Sequence, residues 1–357
     1  MSKVTFNNKK AIFFQSLKAD VDKYFAENGI RKTGNRQLHI KTIVLIVTSL
    51  ALYLSLPAVV NNAPVAIAFC LMLGFTLSAI GFNVMHDACH GSYSRRKWVN
   101  ELLGLTLNAL GGNAFIWKQK HNIIHHTYTN VDGVDDDIAK SPVIRQCHTQ
   151  KWYPVHRAQH IYLWFIYALS SFLWIFVMDI SKYSTQRIYT TQLTKMSTSE
   201  HVIFWVSKIL YVVFYMAIPI YMFGLGKWAI GFACMHAAMG LSMSVVFQLA
   251  HVVEETEFEY TGGEDKQIEN EWAIHQIKTT ANFAPDNKIV SWLAGGLNYQ
   301  IEHHLFPRIS HVHYPALSKI VARKCTEYNL KYNSMPTVGA AILSHYRFMK
   351  TLGTKPE

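Results

Sequence analysis

Three short segments carry histidine at spacings suited to metal chemistry: His86-Asp87-Ala88-Cys89-His90, His121-Asn122-Ile123-Ile124-His125-His126 and Gln300-Ile301-Glu302-His303-His304. On an α-helix, residues i and i+4 share a face. His86 with His90, and His121 with His125, are therefore expected to converge on an ion, with His126 turned about 100° away towards a neighbour. One HxxxH pair is a weak signal, whereas three clusters in order along one chain make chance a poor explanation. Neutral imidazole is the commonest protein metal ligand, and the chain holds 18 histidines. His251 ends a long apolar stretch, where an ionisable group at membrane depth is a functional candidate by default; an interfacial histidine is the plainer reading. Eight imidazoles result (His86, His90, His121, His125, His126, His251, His303 and His304), more than a tetrahedral zinc takes. A dinuclear iron site would use them and leave positions open for oxygen, although imidazole alone does not select iron over zinc or copper. The 5 cysteines (Cys70, Cys89, Cys147, Cys234 and Cys325) form no CxxC pair, which argues against a disulfide framework or a thiolate site and fits a reduced compartment.

The elements that must position these residues are apolar. Hydrophobic residues make up 50% of the 357 and charged ones only 16%, with a mean hydropathy of +0.09, which excludes an ordinary soluble fold. The net charge of +11 suits nucleic acid or an anionic membrane surface, and the apolar runs decide for the membrane. Residues 43–60 and 63–84 are each long enough to cross a hydrocarbon core and form a hairpin around Asn61 and Asn62. Lys3, Lys9, Lys10, Lys18, Lys23, Arg31, Lys32 and Arg36 precede it, and Arg95, Arg96 and Lys97 follow, so both outer ends are expected in the cytosol. The first 40 residues have no apolar core of a cleaved signal. Phe13, Phe14, Leu17, Val21, Tyr24 and Phe25 recur at helical spacing, as in a helix lying on the membrane or on the catalytic domain.

Sharing one site obliges the three clusters to lie on one side of the bilayer. Residues 102–117, short and interrupted by Gly104, Gly111 and Gly112, are then interfacial or re-entrant. Of the three apolar stretches between the second and third clusters an even number cross. The expectation is that 202–223 and 228–250 form a second hairpin around Gly224-Leu225-Gly226, and that 161–178, rich in Trp and Tyr, lies in the interface. The fold expected is an all-α integral membrane protein with about four transmembrane helices in two hairpins, interfacial helices and a cytosolic histidine-rich catalytic cap. Residues 1–42 form a cytosolic amphipathic segment, 43–310 the membrane-embedded catalytic domain and 311–357 a cytosolic C-terminal segment.

The ordered boxes HxxxH, HxxxHH and [HQ]xxHH resemble those of the integral-membrane fatty acyl desaturases. The resemblance extends to Trp117 before His121, to Thr129-Asn130 with Asp135 and Asp137, to His275-Gln276 with Asn282-Phe283, and to Leu297-Asn298-Tyr299 leading into Gln300. Glutamine at position 300 looks like the front-end branch (delta-6/delta-5, linoleoyl-CoA desaturase-like), which places a new double bond between an existing one and the carboxyl end. The resemblance implies two iron ions that activate O2 with two external electrons and remove two hydrogens from adjacent carbons of a long acyl-CoA or acyl-lipid chain. Many eukaryotic front-end relatives carry a fused cytochrome b5 domain with an HPGG motif, which this sequence lacks. Ferredoxin or a separate cytochrome b5-type donor is therefore the expected partner, and a bacterial inner membrane the expected location.

Gln300 is expected at the site, as a hydrogen-bond donor to an oxygen species or as a weak amide ligand. Asp87, Asn122, Glu302, Glu254 and Glu255 are candidates to orient the ligand imidazoles; solvated carboxylates are the plainer reading. The acidic run Asp132, Asp135, Asp136 and Asp137 reads first as a solvated turn, with the resemblance giving Asp135 and Asp137 a structural or headgroup-facing role. His275, with Trp272 and Gln276, is a candidate for the cavity wall or the outer shell. Trp117, Trp292 and Tyr299 are candidates for an acyl tunnel, against the commoner role of interfacial anchors. A hydroxylase on the same scaffold is the nearest competing function, distinguished by product mass. A metal transporter is a more distant one, since it calls for ligating groups in the middle of several spans rather than at their ends.

Overall fold

The computed structural model describes residues 4–8, 11–260 and 266–356; of the basic residues counted above, Lys3, Lys9 and Lys10 lie outside these. Among the described residues, five helices are long and apolar enough to cross a membrane: Arg36–Val59, Ala63–His90, Pro154–Thr185, Thr198–Phe223 and Leu225–His251. The first two begin at asparagine caps. Asn35 accepts a hydrogen bond from the Leu38 amide and Asn62 from that of Val65, with Pro64 pre-set for the first turn. Their outward faces are aliphatic, with Ile43 63% and Leu54 70% exposed, a surface suited to lipid rather than water. Glycine sets the closest helix contacts. A Cβ on Gly74 would lie 2.0 Å from the Met235 carbonyl oxygen, and one on Gly240 would lie 2.7 Å from the carbonyl oxygens of Tyr167 and Ala168.

The stretch 161–178 proves to be the middle of a longer helix, Pro154–Thr185, whose most apolar 18 residues have a mean hydropathy of 2.0. By length and composition it joins the other four as a candidate span, one more than the sequence reading allowed. Its ends, however, meet the same polar cap. Gln159 near its start donates to the carbonyl oxygens of Arg145 and Met349, and Lys182 near its end pairs with Asp136. Residues 102–117 are broken into short helices, with Gly111 at φ +96° turning the chain between them.

The cap is helical with short strand pairs: Val4–Phe6 runs parallel to Lys266–Ile268, Val131–Asp132 to Glu259–Tyr260, and Asn282–Phe283 to Ser334–Met335. The N-terminal amphipathic helix, Ile12–Glu27, buries Phe13, Leu17, Val21 and Phe25 against Ala273, Ile277, Tyr314 and Leu317. It therefore packs on the cap rather than presenting its apolar face to lipid. Residues from the three segments 1–42, 43–310 and 311–357 share this one core.

Candidate metal centre

The first histidine box and His251 lie where the second and fifth apolar helices end, so rigid helices aim them; the second box lies on the π-helical turn Gln119–His125 and the third on the short helix Gln300–Leu305. The second helix ends in His86–His90 after a π-helical turn at Gly81–Met85, and the fifth ends at His251. All eight histidines are at most 8% exposed. Their nitrogens sort into two groups with no shared residue, each with donor atoms within 4.8 Å of one another: His86, His90, His121 and His303 in one, His125, His251 and His304 in the other. His126 lies between them, within the same distance of His303 and His304. Gln300 joins the second group, its Nε2 2.8 Å from His251 Nε2 and 3.4 Å from His304 Nε2.

His86 and His90 share a group, as i,i+4 spacing requires. His121 and His125 do not. Residues Gln119–His125 form a π-helix, whose i,i+5 repeat brings His126 rather than His125 beside His121, with their Nε2 atoms 3.2 Å apart. His121 and His125 instead stack at 5.3 Å between centroids and serve different groups.

The outer nitrogens are held by Gln276, named from sequence as a candidate for the outer shell, and by Thr129, Tyr314 and Asp135, which were not proposed for this task. His304 Nδ1 lies 2.8 Å from Gln276 Oε1 and 3.2 Å from Thr129 Oγ1. His303 Nδ1 is 3.1 Å from the Tyr314 hydroxyl, and His125 Nδ1 is 3.1 Å from Asp135 Oδ2. An acceptor on Nδ1 fixes the tautomer that leaves Nε2 free for a metal. Of the other residues proposed from sequence for this task, Asp87, Asn122, Glu302 and Glu255 point elsewhere. Asp87 faces His311 and Ser310, Asn122 donates to the Cys89 carbonyl, and Glu302 binds Asn282 and Tyr332. Glu255 pairs with Lys331, while the backbone amide of Glu254 donates to Ser344 Oγ. Asp135 is no solvated turn residue: it is 1% exposed and also accepts from the amides of Asn130 and Asp137. His275 bonds the Thr129 carbonyl oxygen at 2.9 Å and so supports the residue beside His304 rather than lining the site. Trp117 stacks on His121 at 4.3 Å; Trp292 and Tyr299 face a separate cleft beside Lys41 and Lys319.

Burial, reinforced by neighbouring histidines, holds His121, His126, His303 and His304 well below the usual imidazole range, so these rings are neutral and in the ligating form. Burial pushes His125 the same way, but Asp135 and Asp137 outweigh it and raise its pKa. Those carboxylates thus compensate positive charge at this ring. Burial would raise Asp137, yet Lys120 beside it holds it at about 2.

His90 Nε2, His125 Nε2, His126 Nδ1, His303 Nε2 and Gln300 Oε1 are buried and have no hydrogen-bond partner. Leaving so many polar atoms unpaired in one place costs ~1–3 kcal/mol each, and a cation shared between them would offset it. Imidazole nitrogens with one amide fit a borderline metal such as iron rather than calcium or magnesium, which take oxygen. A cavity of about 250 Å³ opens onto His86, His121 and Gln300, walled by Met85, Trp174 and Phe247. It is shaped for an apolar chain lying against the histidines.

The sequence profile of the fatty acid desaturases matches residues 62–336. The chain is 35% identical to an sn-1 linoleoyl-lipid 6-desaturase of Synechocystis sp. over 98% of each protein. It is also 35% identical to an enzyme of the same description from Arthrospira platensis, covering 100% of this chain and 96% of the relative. An acyl-lipid (8-3)-desaturase of Physcomitrium patens is 33% identical over 96% of this chain and 72% of its own length.

Proposed function

The chain belongs to the fatty acid desaturase family and is an oxidoreductase, and from that premise we propose that it places a cis double bond into a lipid-linked acyl chain on the carboxyl side of an existing one. The observation that carries this reading is the pair of histidine groups at the mouth of an apolar cavity. The front-end position rests on Gln300 at the head of the third box and on the cyanobacterial relatives described as linoleoyl-lipid 6-desaturases.

His86, His90, His121 and His303 would hold one iron, His125, His251 and His304 a second, with His126 between them and Gln300 beside the second. When bound, the iron pair supplies the reduction of O2 and the oxidation of unactivated C–H bonds, for which no protein side chain has the chemistry. Overall, two C–H bonds on adjacent carbons break, a C=C bond forms, and O2 takes up those two hydrogens together with two external electrons and two protons to become two waters. The chain's own residues perform the rest. Asp135, Tyr314, Gln276 and Thr129 fix the orientation of the rings, and the cavity walls hold one carbon pair against them while excluding water. The electrons come from an external carrier, ferredoxin or a separate cytochrome b5-type protein.

Four helices cross the membrane in two hairpins, and Pro154–Thr185 lies along the interface on the side of the cap. Its two ends on the cap support this, as does the meeting of the second and third histidine boxes in one place, which only an even number of crossings between them permits. The basic residues flanking the spans support a cytosolic position for that side, and the cyanobacterial relatives support a bacterial membrane.

The test is expression in a host fed linoleate, with fatty acids profiled by gas chromatography and mass spectrometry. A product two mass units lighter, with its bond on the carboxyl side, is expected. A product one oxygen heavier would assign a hydroxylase instead.

A further inference from the structure

The cleft faced by Trp292 and Tyr299 has a volume of about 910 Å³ and shares no lining residue with the cavity beside the histidines. Lys41, Lys288 and Lys319 line it, against one carboxylate, Asp286. Lys288, Lys319 and Asp286 are exposed, and among the described residues none of them forms an ion pair. Lys41 is 8% exposed. Its ammonium donates to Asn83 Oδ1 at 2.7 Å and to the Trp292 carbonyl oxygen at 3.1 Å, and faces His311 Nε2 at 3.3 Å. None of these is a carboxylate; Asp87 stands one imidazole away, 3.0 Å from His311 Nδ1. A lysine buried within an apolar helix is costly and marks a functional position.

Lys41 lies five residues into the helix Arg36–Val59, about 7.5 Å along its axis, a depth that matches the boundary between lipid headgroups and acyl chains. Ile40 and Val44, on the same helix, also line the cleft and are 50% and 44% exposed. The short helix Lys288–Leu293 exposes Ile289 and Trp292, and the Lys41 ammonium lies 5.3 Å from the centre of the Trp292 ring; tryptophan is enriched at headgroup level. Cations and lipid-facing aliphatic side chains thus meet in one cleft at the edge of the membrane. We propose that it holds the anionic headgroup of a membrane glycerolipid, a resident lipid rather than the reacting one, with its acyl chains along Ile40 and Val44. Basic pockets beside spanning helices are general binding places for such headgroups. A soluble anion would meet the lysines and leave the aliphatic surface unused, and a zwitterionic headgroup brings a cation that the lysines repel.

The experiment titrates the purified full-length protein in detergent with phosphatidylglycerol and, separately, with phosphatidylcholine of the same acyl chains, counting bound lipid by native mass spectrometry; glycerol phosphate serves as the soluble headgroup. The native chain should retain phosphatidylglycerol in preference to phosphatidylcholine, and glycerol phosphate at equal concentration should not displace it. Lys288→Ala and Lys319→Ala, both at exposed positions that folding tolerates, should each lower that preference about five-fold. Lys97→Ala, at an exposed side chain outside the cleft, should leave it unchanged, and His304→Ala should retain it because the metal centre is separate. Equal retention of the two lipids, displacement by glycerol phosphate, or a loss in the cleft variants no greater than in Lys97→Ala would overturn the proposal. Loss of the preference in His304→Ala would overturn the separation of this lipid from the reacting chain. The readout needs no turnover, so its failure is distinguishable from failure of the desaturase reading; melting temperatures of all the variants are measured alongside.

Discussion

Replacing Asp135 by asparagine keeps the shape of a buried side chain and removes its charge. The two carboxylate oxygens accept from three donors: His125 Nδ1 and the Asn130 amide on Oδ2, at 3.1 and 3.0 Å, and the Asp137 amide on Oδ1, at 3.1 Å. Asparagine has one acceptor oxygen, so its NH2 must face either the Asp137 amide or the pair formed by His125 and Asn130. A lost hydrogen bond to a charged group costs ~1.5–3 kcal/mol. If the NH2 faces His125, the ring is driven to the tautomer protonated on Nε2 and leaves the ligand set. Loss of such an outer partner lowers metal affinity about 10- to 100-fold, or ~1.4–2.8 kcal/mol. Only one group of ligands is affected, because His125 stands with His251 and His304 while His86, His90, His121 and His303 are held separately. The iron content of purified Asp135→Asn protein, titrated against free iron, should therefore fall from about two ions per chain towards about one, with product from linoleate falling with it. Tyr314→Phe, which strips the partner of His303, should weaken the other group. Two ions per chain at native affinity, with native product yield, would refute the claim that Asp135 holds a ligand.

Other perturbations separate ligand chemistry from folding. His304→Ala should abolish turnover while the protein still inserts in the membrane, and product at native levels would remove His304 from the ligand set. Gly74→Ala sets a methyl 2.0 Å from the Met235 carbonyl oxygen and should destabilise the protein by at least ~1–3 kcal/mol. Gly226→Ala meets nothing within 4 Å and should leave the melting temperature in detergent near native, so equal melting of the two variants would contradict the helix contact. Burial lowers the pKa of His345 from 6.5 to about 4, where it bonds the Val252 carbonyl oxygen and faces the Tyr167 hydroxyl. Its unfolded form thus binds the extra proton between these values, and stability is lost as pH falls from about 6.5 towards 4, by up to ~3 kcal/mol. His345→Gln should flatten the pH dependence of melting over that window; an identical slope would show that His345 does not carry it.

Much of the site was legible because metal ligation constrains residue type and local spacing, and both are written in sequence. The three boxes, the solitary His251 at a helix end and the two apolar hairpins follow from imidazole chemistry and hydrophobic length alone. The pairing of ligands does not. Spacing paired His121 with His125, but the π-helical turn changed the repeat from four residues to five and sent them to different groups. His303 and His304 are neighbours in the chain yet also serve different groups, because successive helical residues point about 100° apart.

The partners of the ligands were less legible, and of those the structure shows, Gln276 was the one named from sequence as an outer-shell candidate. Carboxylates adjacent to the boxes in sequence, such as Asp87 and Glu302, point away from them, whereas Gln276, Tyr314 and Asp135 arrive from 28, 11 and 10 residues away. The third apolar helix shows the same division: its composition qualifies it to cross a membrane, while contacts at Gln159 and Lys182 bring both its ends to one cap. A histidine's affinity for metal is a property of its side chain, so the sequence alone established which residues could bind. Which ring shares an ion with which, and what holds each ring in its tautomer, depends on distances between atoms far apart along the chain, and those exist only once the helices have packed.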